Sequence, residues 1–125
     1  MASAKIVSLK NQRVISDQCV VADRFLVRLK GLIGRVSMSQ SEAMWFPNCS
    51  SVHTWWMQMA IDVIFLRSIS GDARGVFQVV AIHSGVRPWR LLPLWSPRAT
   101  DTLELAPGVI QLMDLRPGDE VQCIV

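Results

Sequence analysis

The chain contains no tyrosine, only three cysteines, few charged residues and no apolar run near the length of a membrane-spanning helix. Each shortage excludes something. Cys19, Cys49 and Cys123 stand far apart, are odd in number and form no Cys-x-x-Cys, so neither a disulfide framework nor a zinc signature is present. They read as small buried hydrophobes in a reducing compartment, and no metal or cofactor is expected. Charged residues make up 18% and never form a block of five like charges, which argues against a nucleic-acid partner. There is no Gly-x-Ser-x-Gly elbow, internal repeat or low-complexity tract. Met1–Ile15 lacks an unbroken apolar stretch, so no secretory signal is visible and a cytoplasmic location is expected.

What is present is hydrophobicity. Half of the 125 residues are apolar, enough for a core without disulfide staples, and the length suits a single domain over 1–125. The net charge of +3 is unevenly spread. Residues 1–50 carry seven Lys or Arg against three acids, whereas residues 101–125 carry one Arg against five acids. A mildly basic protein of this kind can attract an anion.

Lys5–Leu9 and Arg13–Ile15 predict a hairpin of edge strands. Asp23 suits a helix N-cap. Phe25, Leu26, Leu29, Leu32 and Ile33 then recur on one helical face, so the spacing predicts an amphipathic helix over Arg24–Ile33, capped by Gly34. Arg24 and Arg28 lie a turn apart on its polar side, with Arg35 just past its end. A solvated basic face explains them as well as an anion site does. Ala43–Phe46 predicts a short strand. Ile61–Ser68 predicts another, with Val63 and Phe65 on one face and Asp62, Ile64 and Leu66 on the other. Gly75–His83 completes a hairpin with it across Ser70-Gly71-Asp72-Ala73. Pro88, Pro93 and Pro97 make Ser84–Thr100 an ordered loop or a broken edge strand. Thr102–Leu105, a short helical segment over Val109–Asp114 and a closing strand Glu120–Val125 follow. The expected fold is mainly β (α+β): a compact antiparallel β-sandwich or barrel-like sheet, the amphipathic helix packed on it, and a short second helical turn near the C-terminus.

Ser51–Leu66 concentrates the residues with chemistry. His53, Met57, Met59 and nearby Cys49 are soft metal ligands by type, yet Met is also the common filler of cores. His53 with Asp62 could form a general-base pair, but no nucleophile signature accompanies it. Asp62 lies between Ile61 and Val63. A carboxyl group buried there needs a partner, and Arg28, Arg35, Arg90 and His53 are the candidates. Trp45, Trp55, Trp56, Trp89 and Trp95 exceed ordinary tryptophan usage and suit either core packing or a groove for a planar or cationic ligand.

Several blocks in order resemble a known family. Arg28-Leu29-Lys30-Gly31-Leu32-Ile33-Gly34-Arg35 resembles R-x-x-G-L-M-G-R, and Val52–Leu66 resembles I-H-T-F-F-M-x-F-P-I-D-V-V-F-L. Val86-Arg87-Pro88-Trp89-Arg90 resembles V-x-P-W-R, Leu103–Gly108 resembles L-E-L-P-A-G, and Leu115–Asp119 resembles L-K-P-G-D. The family is the domain of unknown function 192, a small bacterial and archaeal domain. The resemblance implies a β-rich sandwich or barrel-like domain with a packed helix, and no established reaction. Ala60 replaces the family's usual Pro, and Ala106-Pro107 reverses its Pro-Ala. Other branches of the family carry Ser or another residue where His53 stands, and many relatives carry export signals.

These readings lead to a non-catalytic ligand-binding or accessory module. Its expected groove is lined by Arg28, Arg35, Trp55, Met57, Asp62, Trp89 and Arg90 and takes a small anionic or planar ligand. The alternatives are a hydrolase-like enzyme using His53 and Asp62, and a protein-interaction or self-association module that uses an edge strand or the Arg87–Pro97 loop.

Overall fold

A computed structural model describes residues 3–22, 36–52, 54, 57–69, 75–89 and 92–125. Seven strands close into a barrel in the order β1-β2-β3-β8-β5-β6-β9, with β9 returning to pair with β1. They are β1 (Ser3–Ser8), β2 (Val14–Val21), β3 (Glu42–Phe46), β5 (Ile61–Ser68), β6 (Val76–Val86), β8 (Asp101–Leu105) and β9 (Glu120–Ile124). Two short strands, β4 (Ser51–Val52) and β7 (Leu94–Trp95), form a separate antiparallel ribbon. Helix α1 (Val109–Leu112) lies between β8 and β9.

The sheet is β-dominant as expected, and of the two expected forms, sandwich and barrel-like sheet, it takes the second as one closed barrel. Closure removes the edges that the first hairpin was expected to present: β1 pairs with β9 as well as β2, and β2 pairs with β3. Nor is the sheet wholly antiparallel. β2 and β3 run parallel, with Cys19 beside Ala43 and Val21 beside Trp45. A parallel neighbour needs a long crossover, and the chain between Val21 and Glu42 supplies one. The helix expected over Arg24–Ile33 falls in that crossover and lies outside the described residues. So does the turn Ser70-Gly71-Asp72-Ala73. Among the described residues, no helix is long and apolar enough to cross a membrane.

Strand alternation builds two apolar layers from one sheet. Inward residues of all seven strands form the barrel core, among them Ile6, Ile15, Trp45, Ile64, Leu66, Val79, Leu103 and Val121. Val109, Ile110 and Leu115 join this core from the segment after β8. The outward residues of β3, β5 and β6, including Met44, Phe46, Ile61, Val63, Phe65 and Val86, form a second core. Val52, Met57, Met59 and Leu94 cover it. The β4–β7 ribbon is therefore a lid: Val52 and Leu94 face the barrel wall, while their neighbours Ser51 and Trp95 are exposed. This lid accounts for the three prolines of Ser84–Thr100, because a two-residue strand between prolines needs few ladder bonds.

Buried polar groups also fix the barrel. The Trp45 indole N–H donates to Asp101 Oδ2 at 2.7 Å within the interior, and the ring meets Phe77 edge-on. Cys19 and Cys123 are both buried, and burial pushes the Cys19 thiol up to about 12. Cys49 is half-buried, its thiol donating to the Ser51 carbonyl at 3.1 Å.

Candidate functional site

Asp62 is the second residue of β5 and shares its inward face with Ile64 and Leu66. It is 0% exposed. Its Oδ1 accepts the Gly85 N–H at 2.9 Å, and its Oδ2 accepts the N–H groups of Gly108 at 3.1 Å and Ile110 at 3.0 Å. The partner that the sequence demanded is thus supplied, among the described residues, by three backbone amides. Two belong to left-handed glycines, Gly85 at φ 61° and Gly108 at φ 93°, conformations costly for any residue with a Cβ. The third belongs to the first turn of α1, whose leading N–H groups have no partner inside the helix. Asp62 therefore joins β5, the end of β6 and the start of α1.

Glu104 is a second buried carboxyl group, on the other face of the sheet. It lies between Met44 of β3 and Val63 of β5 and is 5% exposed. Among the described residues no hydrogen bond or ion pair reaches it, and burial pushes its carboxyl up to about 8. Two residues earlier on the same face, Thr102 donates its hydroxyl to the Cys49 carbonyl at 2.7 Å, which ties the start of the lid to the barrel. Across β5 from Glu104, His83 is paired with Val63 and stands edge-on to Phe65 at 5.7 Å.

The lid carries the exposed aromatics. Trp89 is 58% exposed and Trp95 66%, with Leu92 between them at 68%. Trp89 has a left-handed backbone, φ 56°, which is strained for a bulky residue. Its N–H donates to the Thr54 carbonyl at 2.8 Å, and the Met57 N–H meets the same oxygen at 3.4 Å. Two of the expected site residues, Met57 and Trp89, are therefore brought together through Thr54. Met57 turns toward the outer face of the barrel wall, 3% exposed, and Trp89 turns toward solvent. Asp62 is not with them, since it lies on the inward side of the barrel wall. Arg28, Arg35, His53, Trp55 and Arg90 lie outside the described residues.

Sequence reasoning passed over Glu104, although the signal was the one that singled out Asp62: a carboxylate between two leucines in an alternating strand. Thr54 suggested itself only as a hydroxyl nucleophile beside His53, whereas its role here rests on its backbone carbonyl. Among the described residues, no group of three His, Cys, Asp or Glu side chains is placed to hold a metal ion.

Residues 6–123 match the family model DUF192, described as an uncharacterised ACR. Two solved structures share the fold. A protein of unknown function from Novosphingobium aromaticivorans DSM 12444 aligns with a TM-score of 0.74 at 20% identity, covering 96% of this chain and 83% of its own. A Sinorhizobium meliloti 1021 protein described as a candidate transcription regulator aligns with a TM-score of 0.76 at 20% identity, covering 96% of this chain and 91% of its own. No curated protein sequence matches the chain.

Proposed function

This chain belongs to the DUF192 family, which brings a fold and no activity, and from its own geometry we propose that it is a non-catalytic binding domain for a small anionic or planar ligand. The ligand would sit at the outer layer, on the side where Thr54 joins Met57 to Trp89. The observation that carries this reading is Trp89 itself: a large apolar ring kept exposed on a left-handed backbone, with its N–H fixed on the Thr54 carbonyl. Holding such a ring out of the core on a left-handed backbone costs conformational energy, which is the pattern expected of a recognition residue. In this reading Trp89 and Trp55 stack on the ligand, and Arg28, Arg35 and Arg90 hold its anionic group. Asp62 acts as an anchor of the scaffold rather than a ligand contact, because its two oxygens already accept three N–H groups. The same commitment disfavours a general-base pair of His53 and Asp62.

The test uses two probes, inorganic phosphate and a planar aromatic carboxylate such as naphthoate. Saturable quenching of tryptophan fluorescence and a rise in Tm are expected for at least one, through mass action on the folded state. Trp89→Ala should remove the response. A wild-type protein that responds to neither probe at millimolar concentration overturns the reading.

A further inference from the structure

The lid segment has a composition that a small-ligand site does not require. Residues 84–100 hold three arginines, two tryptophans and three leucines, and no acidic residue. Of these, Arg87, Trp89, Leu92, Trp95 and Arg98 are exposed. Trp95 is turned outward by the register of the β4–β7 ribbon, since its strand neighbour Leu94 is buried in the outer core. The ribbon thus pushes an aromatic ring into solvent from a backbone fixed on the barrel.

The charges around the barrel set the lid apart as well. The lid covers β3, β5 and β6, with β8 at the centre of that wall. Among the described residues, the exposed acids Asp17, Asp114 and Glu120 belong to β2, the segment after α1, and β9, while half-buried Asp119 leads into β9 and half-buried Glu42 opens β3. Strands β9, β1 and β2 form the opposite wall. On that side Lys10 is already engaged by Asp119 at 2.8 Å. That side also carries the exposed Lys5, Lys10, Arg13 and Arg116, which balance its acids, whereas residues 84–100 hold no acid to balance the exposed Arg87 and Arg98.

We propose that the Trp89–Trp95 face of the lid docks on the surface of an anionic lipid bilayer. Tryptophan and leucine partition into the headgroup boundary, where an indole keeps its N–H hydrated while its ring is withdrawn from water. Arg87 and Arg98, flanking those rings, meet the negative surface potential and the lipid phosphates. Both contributions are needed, because a few exposed apolar side chains or a few basic ones alone bind a membrane weakly and reversibly. The occupant is a surface and not a groove-bound molecule, since Trp89, Leu92 and Trp95 each stand more than half exposed. The proposal rests on the binding reading above in one respect only, the shared use of Trp89.

The experiment is co-sedimentation of the full chain with vesicles of phosphatidylcholine alone and of phosphatidylcholine with phosphatidylglycerol, beside the phosphate and naphthoate titrations. Binding is expected to the anionic vesicles only, with a blue shift of tryptophan emission and weakening as salt is added. The double variant Trp89→Ser/Trp95→Ser should lower vesicle binding by at least about tenfold, and so should Arg87→Glu/Arg98→Glu, while both keep the wild-type circular dichroism. No sedimentation with anionic vesicles overturns the proposal even if phosphate or naphthoate still binds. Vesicle binding without a response to either soluble probe supports it and removes the small-ligand reading instead. Light scattering that finds a dimer broken by Trp95→Ser, with no vesicle binding, assigns the face to self-association and overturns the proposal.

Discussion

Asp62 and Ile110 are 48 positions apart and are joined at 3.0 Å through a carboxyl oxygen and a backbone N–H. The same side chain holds Gly85 and Gly108, so it satisfies amides on three segments that share no local sequence. Asp62→Ala would leave three N–H groups at a 0% exposed site without an acceptor. Unsatisfied buried donors cost about 1–3 kcal/mol each, with partial relief as the segments shift. We expect a loss on the order of 4 kcal/mol, read as a lower urea midpoint. Asp62→Asn keeps one acceptor oxygen but brings an NH2 group against an N–H, and should recover less than half of that loss. A midpoint within error of the wild type for Asp62→Ala would remove Asp62 from this role.

Glu104 gives the chain a pH dependence opposite to that of an ion-paired acid. Its carboxyl is raised from 4.5 to about 8 by burial. Between those values the unfolded chain has released a proton that the folded chain still holds. This contribution to stability is fully present below about pH 4.5, declines as the pH rises, and is lost by about pH 8. The total is on the order of 5 kcal/mol. Glu104→Gln removes the titration, so its stability should vary less from pH 5 to pH 8 and should exceed that of the wild type at pH 8. Urea midpoints across that range decide the matter, and parallel pH profiles for the two proteins would contradict the assignment.

Much of the barrel was legible because alternation is a local signal. Ile61–Ser68 carried its two faces openly, and the structure sends Ile64 and Leu66 inward and Val63 and Phe65 outward as the pattern required. The helical turn after Pro107-Gly108 was legible from turn chemistry. Closure was not, because it depends on β9 finding β1 across the whole chain, and no short-range pattern encodes that pairing. The parallel pairing of β2 with β3 was hidden for the same reason. At the site, Asp62 was marked by its need for a partner, yet backbone amides leave no trace in sequence and only charged side chains suggested themselves. Met57 was expected to line the groove as well as to pack, and its side chain is buried in the outer core. Trp89 was legible as a proline-flanked aromatic, whereas its left-handed backbone and its bond to Thr54 exist only in three dimensions.

Gly75 offers a test of barrel closure. It precedes β6 with φ +65°, and a Cβ placed there would lie 2.5 Å from the Cys123 carbonyl oxygen. Its own carbonyl accepts the Cys123 N–H at 2.9 Å, so the contact is part of the β6–β9 seam. Gly75→Ala must either push β9 away or abandon that bond. A destabilisation of about 2 kcal/mol or more is expected, seen as a fall in Tm of several degrees. Gly118→Ala is the control. It also has positive φ but open space around it, so it should cost only the backbone term of about 1 kcal/mol. Equal losses would mean that the close approach to Cys123 carries no weight.

Trp89→Gly separates recognition from scaffold. Glycine adopts φ 56° without the clash that tryptophan suffers, so the folded state loses strain. The ring is 58% exposed, so its removal gives up only part of the burial that a core tryptophan would lose. Against this, glycine adds freedom to the unfolded chain. The terms oppose each other, and stability should stay within about 1 kcal/mol of the wild type. The backbone N–H remains to meet the Thr54 carbonyl. Calorimetry should therefore find an almost unchanged Tm in a protein that no longer responds to the ligand probe that the wild type binds. A fall in Tm of the size expected for a core tryptophan would instead make Trp89 a structural residue and take away the observation on which the binding reading stands.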